Sequence, residues 1–166
     1  MLIDQGKVVR VGIADLNLAA APDLLRTAGL GSCVGVVIFD LAKGLAGMAH
    51  IMLPDSRLAR GLGASIGKYA DTAVPELLKL LLSQGASRHG IQAKIAGGAQ
   101  MFQFAGGSDL MRIGPRNVEA VKESLDCLNI QLSAEDTGGS SGRTIEFYPG
   151  TGRMHIRSVN KTLLVI

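Results

Sequence analysis

Two apolar runs separated by a short polar turn constrain this chain more than any other feature. Val34-Gly35-Val36-Val37-Ile38-Phe39 is a strand by composition, built from β-branched and aromatic residues around one glycine. After Asp40-Leu41-Ala42-Lys43-Gly44 comes a second run, in which Ala46, Met48, His50 and Met52 fall on one face, because side chains alternate along a strand. Together the runs predict an antiparallel hairpin. With Asp40 to Lys43 as its loop and Phe39 facing Gly44, Cys33 falls directly opposite His50. Residues so opposed have Cβ atoms roughly 4.5–5.5 Å apart, near enough for a thiol and an imidazole to meet. A loop of odd length would send the two to opposite faces, so the register decides whether the pair exists.

A cysteine and a histidine in contact have a specific chemistry. The imidazole takes the thiol proton, and the thiolate it leaves is the nucleophile. Gly29, Gly31 and Ser32 precede Cys33 and leave the backbone uncrowded, so N–H groups around Gly31 and Ser32 are free to face a developing oxyanion. On spacing alone, a packed cysteine and a packed histidine account for the same residues, since free cysteine is among the most buried residue types.

Longer strings of residues separate these readings. Thr27-Ala-Gly-Leu-Gly-Ser-Cys-Val-Gly-Val36 and Gly47-Met-Ala-His-Ile-Met-Leu-Pro-Asp55 are followed by Gly67-Lys-Tyr-Ala-Asp-Thr-Ala73 and Ala93-Lys-Ile-Ala-Gly-Gly-Ala99. Further on come Ile113-Gly-Pro-Arg-Asn-Val-Glu-Ala-Val121 and Ala134-Glu-Asp-Thr-Gly-Gly139. In this order and with these gaps the chain resembles the chemoreceptor glutamine deamidase family (CheD) over most of its length. The resemblance implies an enzyme that converts glutamine side chains on the cytoplasmic helices of methyl-accepting chemoreceptors to glutamate. It carries a Cys–His–Thr site onto Cys33, His50 and Thr27, with no metal or organic cofactor. It also implies association with a CheC-type chemotaxis phosphatase, for which Met101 and Phe102, lying beside glycines, are candidate contacts. The family fold it implies is two packed sheets with helices outside.

Composition is consistent with such a protein and excludes other classes. A chain of 166 residues that is 47% hydrophobic holds enough apolar surface for one folded domain, here taken as residues 1–166. Net charge is only +3 and aromatics make up 4%, so no basic, aromatic-studded nucleic-acid face is visible. Two cysteines without a Cys-x-x-Cys pair make no disulfide framework. No signal-peptide pattern and no apolar run of about 20 residues is present, which leads us to expect a cytoplasmic protein without membrane insertion. A metal site from Cys33, His50 and His155 would need ligands from distant hairpins and has no motif. Gly29-Leu30-Gly31 precedes a strand, whereas a dinucleotide loop precedes a helix.

Elsewhere the periodicities alternate between strand and helix. Val9, Val11 and Ile13 predict a first strand, and Pro22-Asp23 a turn. Ala70, Ala73, Val74, Leu77, Leu78 and Leu81 share one helical face, with Gly85 placed to end the helix. The helix covers about 70 to 84, and Pro75 either kinks it or, in the preferred reading, lies in the first turn of a helix starting at Thr72, where its missing N–H costs nothing. Ile91 to Ala96 reads as a strand. Asn117 is a candidate N-cap for a second helix with Val118, Val121, Leu125 and Leu128 inside. Cys127 falls on the far side of that helix and reads as non-catalytic. Ile130, Leu132 and Ala134 alternate, Arg143 to Tyr148 and Arg153 to Val159 form a hairpin, and Thr162 to Ile166 is a last strand. Strands, hairpins and helices so interleaved predict an α/β (α+β) domain with two packed mixed β-sheets and helices on the outside.

Overall fold

A computed structural model describes residues 5–59, 65–101 and 112–166. In chain order its strands are β1 (Val8–Arg10), β2 (Leu16–Ala20), β3 (Leu24–Leu30), β4 (Val34–Asp40) and β5 (Leu45–Ile51), then helix α1 (Ala70–Ser83). There follow β6 (Ile91–Gly97), helix α2 (Ile113–Cys127), β7 (Gln131–Thr137), β8 (Arg143–Tyr148), β9 (Arg153–Ser158) and β10 (Leu164–Val165). The strands form two five-stranded sheets, ordered β1-β3-β8-β9-β10 and β2-β5-β4-β6-β7. Both are mixed: β1 runs parallel to β3 and β6 parallel to β7, while the remaining neighbours are antiparallel.

The sheets face each other across a core that includes Leu25, Leu30, Val37, Phe39, Met48, Ile145 and Phe147. Phe39 and Phe147 meet across it with ring centroids 4.8 Å apart. The other face of the second sheet carries both helices, which pack Val74, Leu77, Leu81, Val121 and Leu125 onto Val36, Ile38, Ile51 and Ile95. The layers are therefore sheet, sheet, helices. This explains why β4 reads as an unbroken apolar run: it lies at the centre of a sheet covered on both faces, and all seven of its residues are buried. No helix among the described residues is long and apolar enough to cross a membrane.

The hairpin forms, but its turn lies one residue later than the sequence suggests. Asp40 pairs with Leu45, so the four-residue loop is Leu41 to Gly44 and His50 faces Gly35 rather than Cys33. Asp40 belongs to the strand because its carboxylate, though buried, is satisfied at long range. It accepts from the Ser87 N–H at 2.8 Å, as well as from Lys43 N–H at 3.3 Å. The loop length is even as expected, so Cys33 and His50 keep the same face, one diagonal step apart.

Three further expectations change. The first strand ends at Arg10; Val11 is buried, but Ile13 is exposed, and Ala14 turns the chain with φ +64°. Helix α1 begins at Ala70, not Thr72, so Pro75 stands in its second turn. The early start is stabilised by an isolated bridge between Leu53 and Tyr69, through which the Ala70 N–H donates to the Leu53 carbonyl. Helix α2 begins at Ile113, which puts Pro115, rather than Pro75, in a harmless first-turn position and makes Asn117 an interior residue. The helix faces themselves are as expected. Gly85 follows α1 in a left-handed conformation, φ +102°, that ends the helix at little cost.

Candidate active site

Thr27 and His50 come from different sheets and meet in the core between them. Thr27 lies on β3 where its pairing with β8 shifts register, between Thr27 and Leu30. His50 lies near the end of β5, opposite Gly35. A Cβ at Gly35 would stand 2.6 Å from Ile145 Cδ1 and 3.1 Å from Leu30 Cδ1, so the absent side chain is what lets the sheets close up here. The Thr27 Oγ1 is 2.7 Å from His50 Nδ1 and 2.7 Å from the Val11 carbonyl oxygen. Both side chains are buried, His50 completely.

That geometry fixes the tautomer of the imidazole. A hydroxyl has one proton, and the Val11 carbonyl can only accept, so the Thr27 O–H donates to Val11. Thr27 Oγ1 then accepts from Nδ1–H of His50. The remaining nitrogen, Nε2, carries a lone pair, and it is buried with no hydrogen-bond partner among the described residues. Burial pushes the imidazole pKa down from 6.5 and favours the neutral form. A neutral imidazole held at Nδ1 with an unengaged Nε2 has a nitrogen able to accept a proton, which is what general-base chemistry requires.

Cys33 closes the loop between β3 and β4, half-buried, against the same inter-sheet core. Burial pushes its thiol up from 9.0, and its own backbone N–H partly offsets this. Each group is thus neutral at rest, since each would be desolvated as an ion. The thiol makes no hydrogen bond to Nε2 in this state. Catalytic hydrogen bonds often tighten only when substrate is bound.

The loop around Cys33 is held by its carbonyls. Gly31 O accepts from Ala99 N–H at 2.9 Å, Ser32 O from Asn117 Nδ2 at 2.9 Å and Cys33 O from Gly98 N–H at 2.8 Å. In a trans peptide the N–H lies opposite the C=O. The N–H groups of Ser32 and Cys33 therefore point away from these partners, and among the described residues neither donates to a backbone carbonyl of the surrounding loops. Gly31 differs, because its N–H is already engaged with the Gly29 carbonyl at 3.0 Å. Its contribution is space: a Cβ there would lie 3.5 Å from Met101 Cγ.

Met101 is 46% exposed and lies beside this loop, whereas Phe102 falls outside the described residues. Cys127 is exposed near the C-terminal end of α2. His155 lies on the outer face of the first sheet, its ring 4.7 Å from that of Tyr148, apart from Cys33 and His50. Asp136, in the last of the sequence strings, pairs with Arg143 at 3.0 Å. Asn117 is the residue whose place the sequence concealed. Its type suggested a helix cap, and only the three-dimensional neighbourhood reveals that its amide reaches Ser32 and Met52.

Comparison with known proteins identifies the family. Residues 52–158 match the family model described as CheD chemotactic sensory transduction. A protein of Halalkalibacterium halodurans named chemoreceptor glutamine deamidase CheD is 59% identical over 154 residues, covering 93% of this chain and 95% of its own. Proteins of the same name from Bacillus subtilis and Bacillus licheniformis are 50% identical over 161 residues and 49% over 166, covering 97% and 100% of this chain and 97% and 99% of their own. The last alignment spans the whole chain, including Thr27, Cys33 and His50, which precede the segment matched by the family model. With two β-sheets meeting at Thr27 and His50, and such relatives along its full length, the chain belongs to the CheD family.

Proposed function

We propose that this protein is a protein-glutamine deamidase, converting glutamine side chains of bacterial chemoreceptors to glutamate through a thioester on Cys33. The observation that carries the chemistry is the Thr27–His50 hydrogen bond, which leaves Nε2 of a buried neutral imidazole without a partner among the described residues, on the face that Cys33 shares. The substrate class follows from what the relatives are named for.

Substrate brings the side-chain carbonyl carbon of a glutamine to the Cys33 sulfur. His50 Nε2 takes the thiol proton as the S–C bond forms, and the carbonyl oxygen becomes an oxyanion facing the Ser32 and Cys33 N–H groups. His50 then gives its proton to the amide nitrogen. The C–N bond breaks, ammonia leaves and a thioester remains. A water molecule attacks the thioester, its proton passing to His50 Nε2. Collapse of the second tetrahedral species breaks the C–S bond, releases glutamate and returns the proton to the sulfur. Thr27 holds the ring in the tautomer that makes each transfer possible, the third-group role of a triad. The released carboxyl group gives its proton to ammonia, so the net change, glutamine plus water to glutamate plus ammonium, adds a negative charge to a receptor helix and so can bias a signalling equilibrium.

A second reading concerns binding. Half-exposed Met101, against Gly31 beside the nucleophile loop, supports contact with a CheC-type phosphatase on this same face. One pair of measurements tests both. Purified receptor cytoplasmic fragment should release ammonia and gain about one dalton per glutamine with the wild-type protein but not with Cys33→Ala or His50→Ala. Phosphatase binding should survive Cys33→Ala and weaken with Met101→Ala. An intact fold that releases no ammonia from several receptors overturns the enzyme reading and leaves binding.

A further inference from the structure

We infer that Asn117 is a positioning residue of this site, whose side-chain amide clamps the nucleophile loop to the histidine strand and aims the Cys33 N–H at the reacting carbonyl. This rests on the deamidase reading above. Asn117 lies one turn into α2 and is completely buried. Its Nδ2 donates to the carbonyls of Ser32 and Met52, each at 2.9 Å. Ser32 immediately precedes the nucleophile, and Met52 stands two residues beyond His50 on the same strand direction. One side chain thus ties together the two chain segments that carry the thiol and the base.

Both protons of the amide nitrogen are used in this way, and Oδ1 is buried without a hydrogen-bond partner among the described residues. A residue serving only to fill space between α2 and the second sheet needs no such arrangement, because an apolar side chain would leave no orphaned oxygen. The clamp also has a directional consequence. Ser32 C=O and Cys33 N–H belong to one peptide plane and point oppositely, so the bond that fixes the carbonyl toward α2 fixes the N–H toward the inter-sheet side, where Cys33 packs. The first turn of α2 itself packs closely against the segment that follows β6, at Gly98 and Ala99. A Cβ at Gly114 would lie 2.3 Å from the Ala99 carbonyl oxygen, and Ala99 N–H holds Gly31. The helix turn that carries Asn117 thus abuts the same segment that holds the nucleophile loop.

The test compares Asn117→Ala with Val121→Ala, a fully buried residue one turn further along the same helix with no polar tie. Both are made on a Cys127→Ser background, so that Cys33 is the only thiol. Asn117→Ala should lower kcat for receptor deamidation by about 100-fold with KM within about twofold, as expected for a misaimed oxyanion donor and nucleophile. It should also move the pH midpoint of Cys33 alkylation by iodoacetamide upward, since the backbone N–H beside the sulfur stabilises its thiolate. Val121→Ala should lose thermal stability without either change. If Asn117→Ala does not fold, Asn117→Ser, which keeps one donor, should give intermediate values of both. Equal effects in the two helix variants, a change in KM alone, or an unmoved alkylation midpoint would overturn the proposal. Absence of ammonia release by wild type, with the midpoint still shifted in the variant, would instead sink the deamidase reading and leave the clamp standing.

Discussion

Thr27 and His50 are joined across two β-sheets by a 2.7 Å hydrogen bond, and the same threonine hydroxyl is 2.7 Å from the Val11 carbonyl. The second contact gives the first its direction. Because Val11 can only accept, the threonine must receive a proton from Nδ1 of the ring, and Nε2 is left as the basic nitrogen. A hydroxyl holds the imidazole here in the place that a carboxylate takes in many triads, without adding a charge to the core. A carboxylate in its place would raise the imidazole pKa, whereas burial beside a neutral hydroxyl lowers it.

This makes Thr27→Val an informative change, since it is nearly isosteric and removes only the polar contact. It leaves the Val11 carbonyl and His50 Nδ1–H unpaired in the core, which should cost about 1–3 kcal/mol of stability. Deamidation should fall by about 100-fold as the ring loses its preferred tautomer and orientation. Thr27→Ser, which restores the hydroxyl, should recover most of both. Urea unfolding and ammonia release measure the two effects separately, and a fully active Thr27→Val protein would remove Thr27 from the site.

Gly97 and Gly29 both have positive φ, +111° and +74°, yet they should respond very differently to alanine. Around Gly29 a Cβ meets nothing within 4 Å, so only the left-handed backbone is strained, at about 1–2 kcal/mol. At Gly97 the added atom would lie 2.3 Å from the Cys33 carbonyl oxygen, which is backbone and cannot step aside. Gly97→Ala should therefore cost about 3 kcal/mol or more by overpacking and strain together, and displace Cys33. Its deamidase activity should fall further than that of Gly29→Ala when both are assayed well below their melting temperatures.

Much of this was legible in the sequence because it is local. The alternation around Met48 and His50 and the helical spacing from Ala70 to Leu81 each reflect a period that the chain carries in itself. What escaped was set at long range. Asp40 looked like a turn residue, as aspartate usually is, and only the Ser87 N–H brought to it by the fold makes it a strand residue. Asn117 looked like a cap for the same reason, and its partners are 85 and 65 residues away. Short polar side chains favour turns and caps through bonds they make to nearby backbone. Where the fold supplies better partners, that preference is overridden.

Asp136 invites a reading as a site carboxylate, and its contacts assign it a structural role. It accepts from Arg143 Nε at 3.0 Å, while Arg143 Nη2 donates to the Gly138 carbonyl at 2.9 Å. The Arg143 side chain is 8% exposed and that of Asp136 31%. Removing the partly screened carboxylate leaves a buried cation with fewer partners, so Asp136→Ala should destabilise the fold by about 2 kcal/mol. The activity of the remaining folded protein should be little changed. A large loss of kcat at unchanged stability would instead place Asp136 in the chemistry.

The pH dependence follows from His50. Its imidazole is pushed below 6.5 by burial, and it must be neutral to accept the thiol proton. The acid limb of kcat/KM should therefore lie below pH 6.5, with activity persisting where an exposed histidine would be half charged. Stability should follow the same group. With a depressed folded pKa, the unfolded chain binds the proton more readily, so the contribution of neutral His50 is complete above pH 6.5 and is lost as pH falls from there through the folded pKa. His50→Gln has no such titration. Urea unfolding of wild type and His50→Gln at pH 7.5 and 5.5 should thus show a larger loss on acidification in the wild type. Parallel losses in the two proteins, or an acid limb centred above pH 6.5, would mean that His50 is charged at rest and that the site stores a thiolate–imidazolium pair instead of forming one as substrate arrives.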